Sequence, residues 1–220
     1  MKNYYSITLA VLCLLFVSID SKAQIQAEFG LKGGILFSNI HAIDNNSNIE
    51  FEKKDGITLG MFYKKGDLLG PLGFQTELLY QMKGANIFME HYEILPDEGQ
   101  GSNIEMTGAY YRDKEQLHYL TLPLLLTVRT TKFLDIYAGP ELGYLLSYKS
   151  IRQETGEMNR FSAGVAVGAT LKICEKTHLD FRFSSDFTSY DKSFKNSSTD
   201  LKNYGFGITI QQTLTRKPAK

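Results

Sequence analysis

The stretch HLDFRFSSDF, residues 178–187, decides the fold because apolar and polar side chains alternate along most of it. Its odd-numbered positions read Leu, Phe, Phe, Ser and Phe, and its even-numbered positions read His, Asp, Arg, Ser and Asp. Successive side chains of a β-strand point to opposite faces, whereas a helix would repeat its apolar positions every three to four residues. The stretch therefore predicts a strand with one apolar face and one charged face.

Seven other runs of the chain alternate with the same period of two, although Gln212 interrupts the last of them. A tilted strand needs about 9–11 residues to cross a bilayer, and all but one of the runs reach or exceed that length. Single-chain bacterial barrels have an even number of strands, which eight runs satisfy. We find no convincing amphipathic helix of three turns. The seven runs are 27–38, 57–64, 72–83, 119–128, 134–147, 161–172 and 203–214.

The connections between these runs alternate between short and long. An outer-membrane barrel has short turns on its periplasmic side and long polar loops outside, whereas a soluble sandwich has no reason to sort its connections this way. Both chain ends fall on the side of the short turns, which predicts that this side is periplasmic. The short connections are 65–71, 129–132 and 174–177, and the long ones are 39–56, 84–116, 149–160 and 189–202.

The composition supports a barrel and excludes several other classes. The 220 residues include 27 Phe and Tyr and 19 Gly, yet the mean hydropathy is only −0.21, too polar for a helical membrane protein. The apolar content of 43% is too high for a disordered chain. The 24 basic and 24 acidic residues balance, which argues against a nucleic-acid partner.

The N-terminus has the pattern of a secretory signal peptide. Lys2 precedes an apolar run over 7–19, and the small-x-small triplet Ser-Lys-Ala ends at Ala23. This apolar run is shorter than the roughly 20 residues of a transmembrane helix. We predict cleavage after Ala23, with residues 1–23 as signal peptide and 24–220 as a single barrel domain. The mature chain then keeps one cysteine, Cys174, which we expect to be a small buried apolar residue.

The less apolar face of the runs carries both charges and glycines. This combination suits the interior of an eight-stranded barrel, which has room only for side chains. A soluble, lipocalin-like periplasmic binding barrel stays open as an alternative, but it would place its apolar face inward. Charges on this face include Lys83 and Asp186. We predict a network of opposite charges across the lumen, formed by Lys32, Glu77, Glu141, Lys172, Asp180 and Arg182.

Catalytic, metal and cofactor sites are not predicted. None of the four histidines has a serine and an acid two residues apart on the same face at the outer rim, and the GxSxG and HExxH motifs are lacking. The histidines at 41, 91, 118 and 178 are better explained as solvated rim residues. The oxygen-rich segment 44–48 lacks the glycine and the final glutamate of a calcium loop. The long connection 84–116 is either a strand hairpin beyond the membrane or a recognition loop with exposed aromatics.

Three segments carry a family resemblance: FGLKGG at 29–34, YLTLPLL at 119–125 and YAGPELG at 137–143. In this order they resemble the porin-like outer-membrane β-barrel family often labelled PorT-like, along essentially the whole mature chain. The resemblance implies an eight-stranded barrel in the outer membrane and little about activity. The chain departs from such barrels by continuing past Leu214 to Lys220 instead of ending in an aromatic residue.

Together these patterns predict an all-β, eight-stranded, antiparallel up-and-down transmembrane barrel in the outer membrane of a Gram-negative envelope. We expect a monomer with a filled polar lumen and no enzymatic activity. The expected partners are outer-membrane lipid and, through the long loops, another envelope protein. The role is structural or interaction-based, and a narrow pore for small solutes is the alternative.

Overall fold

The computed structural model describes residues 27–42, 49–93, 107–149, 158–189 and 201–217. Within these residues the regular structure consists of β-strands, and no helix is long and apolar enough to cross a membrane. The signal peptide predicted for 1–23 lies outside the described residues. The strands are β1 Ala27–Ala42, β2 Ile49–Glu52, β3 Lys54–Leu69, β4 Leu72–Glu93, β5 Thr107–Arg129, β6 Leu134–Lys149, β7 Phe161–Lys172, β8 Thr177–Asp186 and β9 Leu201–Lys217.

Eight of these nine strands form a closed antiparallel barrel. Each of β3 to β8 pairs with the next strand in the chain, and β1 pairs with both β3 and β9. The pairing of β1 with β9 joins the two ends of the chain, so no long edge is left open. The predicted eight-stranded up-and-down barrel is therefore confirmed.

The short strand β2 was not predicted from the sequence. It pairs with β4 between Asn86 and Met89, beyond the segment that pairs with β3, and Lys53 alone separates it from β3. Four residues are too few for an alternation to stand out, so the sequence placed this segment in a long connection. The strand lengthens the barrel wall on the side of the long connections.

The connection predicted for 84–116 is mostly a strand hairpin. Strands β4 and β5 remain paired from Leu72 opposite Val128 to Glu93 opposite Thr107. This confirms the alternative in which the strands continue beyond the membrane. Residues 94–106, at the end of the hairpin, lie outside the described part of the chain.

The barrel exposes apolar side chains and buries charged ones. On the outside, Leu31, Leu126 and Ile210 are 50–55% exposed, whereas Lys32 and Asp180 on the inside are at most 3% exposed. A soluble barrel would have the opposite arrangement. A continuous apolar exterior of this kind needs lipid or protein to cover it, which favours the membrane barrel over the lipocalin-like alternative.

The pairing of β1 with β9 contains an irregularity near the C-terminus. Phe29 pairs with Thr215 and Gly30 with Thr213, which leaves Leu214 as the extra residue of a bulge. Gln212 is exposed on the outside of the barrel, as Ile210 is. Its side chain therefore points in the direction that the alternation requires, although it is polar. Its polar side chain is accommodated at the barrel end, where the Thr177 hydroxyl donates a hydrogen bond of 2.8 Å to Gln212 Oε1.

The three short turns lie at the same end of the barrel as Ala27 and Lys217. The first turn passes through Gly70, whose φ of +66° is a conformation that favours glycine. The third turn contains Cys174, which is exposed. The expectation that Cys174 is buried was wrong, because it falls in the turn between β7 and β8 and not within a strand.

Candidate functional site in the barrel lumen

Four buried charges from three strands meet in the middle of the lumen, and we call them the central cluster. Lys32 of β1 lies between two carboxylates, with its Nζ 3.1 Å from Glu77 Oε1 and 2.7 Å from Asp180 Oδ2. The guanidinium of Arg182 lies 2.8 Å from Glu77. All four side chains are nearly inaccessible, so each charge depends on these contacts instead of on water.

Asp180 is the most extensively hydrogen-bonded member of the central cluster. The Tyr137 hydroxyl donates to Asp180 Oδ1 over 2.8 Å and accepts a hydrogen bond of 3.2 Å from Arg182 Nε. Thr170, Thr209 and Gln211 donate to the same carboxylate over 3.0–3.2 Å. A buried carboxylate tolerates removal from water when its oxygens are paired in this way.

A second group of charges lies next to the central cluster, and we call it the upper cluster. Lys83 Nζ is 3.2 Å from Glu141 Oε1 and 3.3 Å from Asp186 Oδ1. The two clusters are linked by Arg182, whose Nη1 is 3.9 Å from Glu141 Oε2, an ion-pair distance that is too long for a hydrogen bond. Arg182 therefore stands between Glu77 and Glu141.

The two clusters connect four strands across the lumen. They contain three basic and four acidic side chains, contributed by β1, β4, β6 and β8. Neutral polar side chains occupy positions around them, and Gln75 donates to Glu77. An eight-stranded barrel is just wide enough for its own side chains, and here these are held in pairs. The arrangement can join opposite walls of the barrel and occupy the path along its axis.

The lumen becomes apolar towards the long connections. Buried apolar side chains pack together there, above Lys83, whose Nζ lies 5.5 Å from the centre of the Tyr119 ring. The sequence predicted a filled polar lumen, which the buried ion pairs confirm, and at this end apolar residues face inward as well. This upper apolar cluster comprises Ile40, Ala85, Leu117, Tyr119, Leu145, Met158 and Leu201.

The structure brings together five of the six residues that the sequence placed in the lumen network. Lys172 lies elsewhere: it is half-buried near the short turns, opposite His178 of β8, and forms no ion pair with the described residues. Lys83 and Asp186 are members that the prediction did not include, although the alternation had put both on the inward face. The five residues that meet are Lys32, Glu77, Glu141, Asp180 and Arg182.

The barrel end at the short turns has its own ion pairs. Asp135 is bound by Lys64 and by Arg129, whose Nε lies 3.7 Å from Asp135 Oδ1. Arg216 is 2.9 Å from Glu28 Oε1 and also donates to a backbone carbonyl of the third turn. These pairs join neighbouring strand ends and are more exposed than those in the lumen.

Two histidines differ from the predicted solvated rim positions. His178 is buried at the short-turn end. His118 faces outward within β5, where its Nδ1 lies 2.6 Å from the Tyr80 hydroxyl. His41 is exposed at the end of β1, and the side chain of His91 lies outside the described atoms. Among the residues that the structure describes, no three His, Cys, Asp or Glu side chains are grouped to hold a metal ion.

Tyr137→Phe tests the hydrogen bonds around Asp180. We expect it to lower the free energy of unfolding by about 1–3 kcal/mol, because it removes one donor to Asp180 and the acceptor of Arg182 Nε. Urea unfolding in lipid vesicles measures this loss. Tyr144→Phe, on the exposed exterior, is the matched control and should change stability by less than half as much. Equal losses in the two variants would contradict a specific role for the Tyr137 hydroxyl.

Comparison with solved structures finds barrels at low sequence identity. Neisserial surface protein A is 10% identical with a TM-score of 0.48, covering 86% of this chain and 99% of that chain. The attachment invasion locus protein Ail of Yersinia pestis is 11% identical with a TM-score of 0.48, covering 89% of this chain and all of that one. OprG of Pseudomonas aeruginosa is 11% identical with a TM-score of 0.48, covering 91% of this chain and all of that one.

No curated protein matches the sequence. The family assignment comes from the family model for the outer membrane protein beta-barrel domain, which matches residues 21–214. This match covers β1 to β8 and β9 as far as Leu214, and it agrees with the closed antiparallel barrel and its apolar exterior. The chain therefore belongs to the outer membrane protein beta-barrel domain family and is a barrel protein of the outer membrane.

Proposed function

We propose that this protein is a closed barrel whose charged lumen stabilises the wall and blocks steady passage of solutes. The observation that carries this proposal is Arg182, which contacts carboxylates of two other strands, Glu77 and Glu141, in the centre of the lumen. Removing one of these charges would leave its partners buried with fewer opposite charges in contact, which is costly. The network thus supports a permanent filling of the barrel.

The long connections are the proposed site of interaction in the envelope. They hold the parts of the chain that a rigid barrel can present to other molecules, and binding residues are often found on such segments. We propose a monomer without enzymatic activity that contacts outer-membrane lipid through its exterior and another envelope protein through these connections. Deleting residues 94–106 and recovering co-purified envelope proteins, compared with the full chain, tests this contact.

We also propose the finer assignments that the sequence suggests. These are membership of the PorT-like group, cleavage after Ala23, and an orientation with the short turns in the periplasm. The apolar run at 7–19 and the two chain ends beside the short turns support them. N-terminal sequencing of the mature protein tests the cleavage, and protease accessibility in whole cells tests the orientation.

Conductance across a planar bilayer tests the closed lumen. We expect the wild-type protein to give no steady current, and Glu77→Ala and Arg182→Ala to produce current steps because each removes a link across the lumen. Leu126→Ala, on the exterior, is the control and should stay silent. The fraction of folded barrel in each sample is measured by its heat-dependent gel mobility.

The alternative function, a narrow pore for small solutes, is favoured by one detail of the same geometry. Arg182 is 2.8 Å from Glu77 and 3.9 Å from Glu141, so a small movement could exchange its partners. Steady current in the wild-type protein would support this pore and overturn the closed barrel. Silence in the wild type and in both variants would show that other groups close the lumen.

A further inference from the structure

At each of the three short turns, an exposed apolar side chain and an exposed lysine lie in the turn or near the end of the strand that precedes it. The apolar side chains, Leu68, Phe133 and Ile173, are 43%, 63% and 58% exposed. An exposed lysine lies within three residues of each of these apolar side chains. The pairs are Leu68 with Lys65, Phe133 with Lys132, and Ile173 with Lys176.

Two acidic residues at this end are already paired with other basic side chains. Asp135 is occupied by Lys64 and Arg129, and Glu28 is occupied by Arg216. Lys65, Lys132 and Lys176 form no ion pair with the side chains that the structure describes. Their positive charges are therefore available to a partner outside the chain.

The whole short-turn end is basic although the chain is neutral. We define the short-turn rim as residues 27–28, 64–72, 128–135, 171–178 and 213–217. It contains eight basic and four acidic residues, an excess of four positive charges. The basic residues are Lys64, Lys65, Arg129, Lys132, Lys172, Lys176, Arg216 and Lys217, and the acidic ones are Glu28, Asp67, Asp135 and Glu175.

The apolar side chains of the turns continue the lipid-facing exterior. Ile173 follows Leu171, which is 40% exposed on the outer face of β7, at the same two-residue spacing as the rest of that strand. An exposed apolar residue beside a lysine is a common arrangement at a membrane interface, where the apolar part stays in the acyl region and the ammonium reaches the headgroups. Because this surface is continuous with the lipid-facing wall, lipid is a better match than a soluble acidic protein.

We propose that the short-turn rim is a binding surface for anionic phospholipid headgroups, with Lys65, Lys132 and Lys176 as the contact residues. The phosphate and net negative charge of such a headgroup complement the positive excess of the rim. A basic residue near an anionic membrane surface contributes about 1 kcal/mol, which corresponds to about five-fold in association. This surface is separate from the lumen and does not depend on whether the lumen conducts.

Electron paramagnetic resonance of spin-labelled lipids around the reconstituted full-length protein tests the proposal. The spectra give the association of phosphatidylglycerol with the protein surface relative to phosphatidylcholine. We expect a several-fold preference for phosphatidylglycerol in the wild type. The preference should fall by more than half in Lys65→Gln/Lys132→Gln/Lys176→Gln and persist when the same three residues are replaced by arginine.

A second triple variant at the other end of the barrel is the matched control. Lys53, Lys114 and Lys149 are exposed residues near the long connections, and replacing them with glutamine should leave the preference largely unchanged. An unchanged preference in the short-turn variant, or an equal loss in the control variant, would overturn the proposal. Counting the lipids retained by each variant in native mass spectrometry provides an independent measurement on the same samples.

Discussion

Replacing Arg182 with methionine is expected to lower the free energy of unfolding by about 3–5 kcal/mol, the range for removal of one partner from a buried ion pair. The side chain is only 5% exposed and contacts Glu77, Glu141 and the Tyr137 hydroxyl. Methionine fills a similar volume but supplies no charge. Glu77 and Asp180 would then share Lys32 as the nearest cation.

Urea unfolding in phospholipid vesicles measures this loss, and Arg160→Met is the matched control. Arg160 is exposed, and its Nη1 donates only a long hydrogen bond of 3.5 Å to the Tyr144 hydroxyl, so its loss should cost about 1 kcal/mol or less. The double variant Arg182→Met/Glu77→Gln removes one charge of each sign and should lose less than the sum of the two single variants. Additive losses would contradict a direct energetic link between Arg182 and Glu77.

The second large effect is expected at Gly34, where alanine should destabilise the barrel by at least about 3 kcal/mol, the upper end of ordinary overpacking. A Cβ at Gly34 would lie 2.1 Å from the carbonyl oxygen of Ile208 and 2.6 Å from Thr209 Cα. Both atoms belong to the backbone of β9 and cannot rotate away. The substitution would therefore push β9 from β1, at the pairing that joins the first and last strands of the barrel.

The adjacent residue is the control for this prediction. A Cβ at Gly33 would first meet Leu59 Cδ2, at 3.1 Å, which is the end of a flexible side chain on the exterior. Gly33→Ala should thus change stability by less than about 1 kcal/mol, because Leu59 can adjust. The heat-induced change in gel mobility compares the two variants directly. Similar midpoints for Gly33→Ala and Gly34→Ala would show that the close approach of β1 and β9 is not limiting.

The alternation of side chains was sufficient to predict the barrel and the inward position of its charges. Strand β7 has the same ends, Phe161 and Lys172, in the sequence pattern and in the structure. The period of two depends only on the backbone of a single strand, so it can be recognised in the sequence without knowing which strands are neighbours. It also placed Lys83 and Asp186 inward, although it could not indicate what they contact.

The partners of the charges could not be predicted because they depend on the stagger of the closed barrel. Arg182 meets Glu77, which is 105 residues away, and Lys32 meets the same carboxylate across the lumen. Lys172 has the same inward parity but lies two residues nearer the short turns than Thr170, whose hydroxyl donates to Asp180. The alternation gives only the direction of a side chain, and its height along the axis comes from the pairing of all eight strands.

The apolar filling of the upper lumen escaped prediction for a related reason. Ile40 and Ala85 belong to this cluster and lie in β1 and β4, in stretches that the sequence pattern assigned to the connections 39–56 and 84–116. The bulge at Leu214 likewise depends on the offset between β1 and β9. Predicting either feature would require knowing over what distance two neighbouring strands remain paired.

The upper apolar cluster has a consequence for how the protein responds to its surroundings. It lies between the lumen charges and the solution on the side of the long connections, and the clusters themselves are almost inaccessible. Dissolved salt screens charges that solution can reach, within a Debye length of about 8 Å at physiological ionic strength, and has much less effect on buried pairs. The protein therefore has two sets of charges that differ in their exposure to dissolved salt. The lumen charges, which stabilise the barrel, are shielded from changes in ionic strength. The charges on the short-turn rim are exposed to those changes.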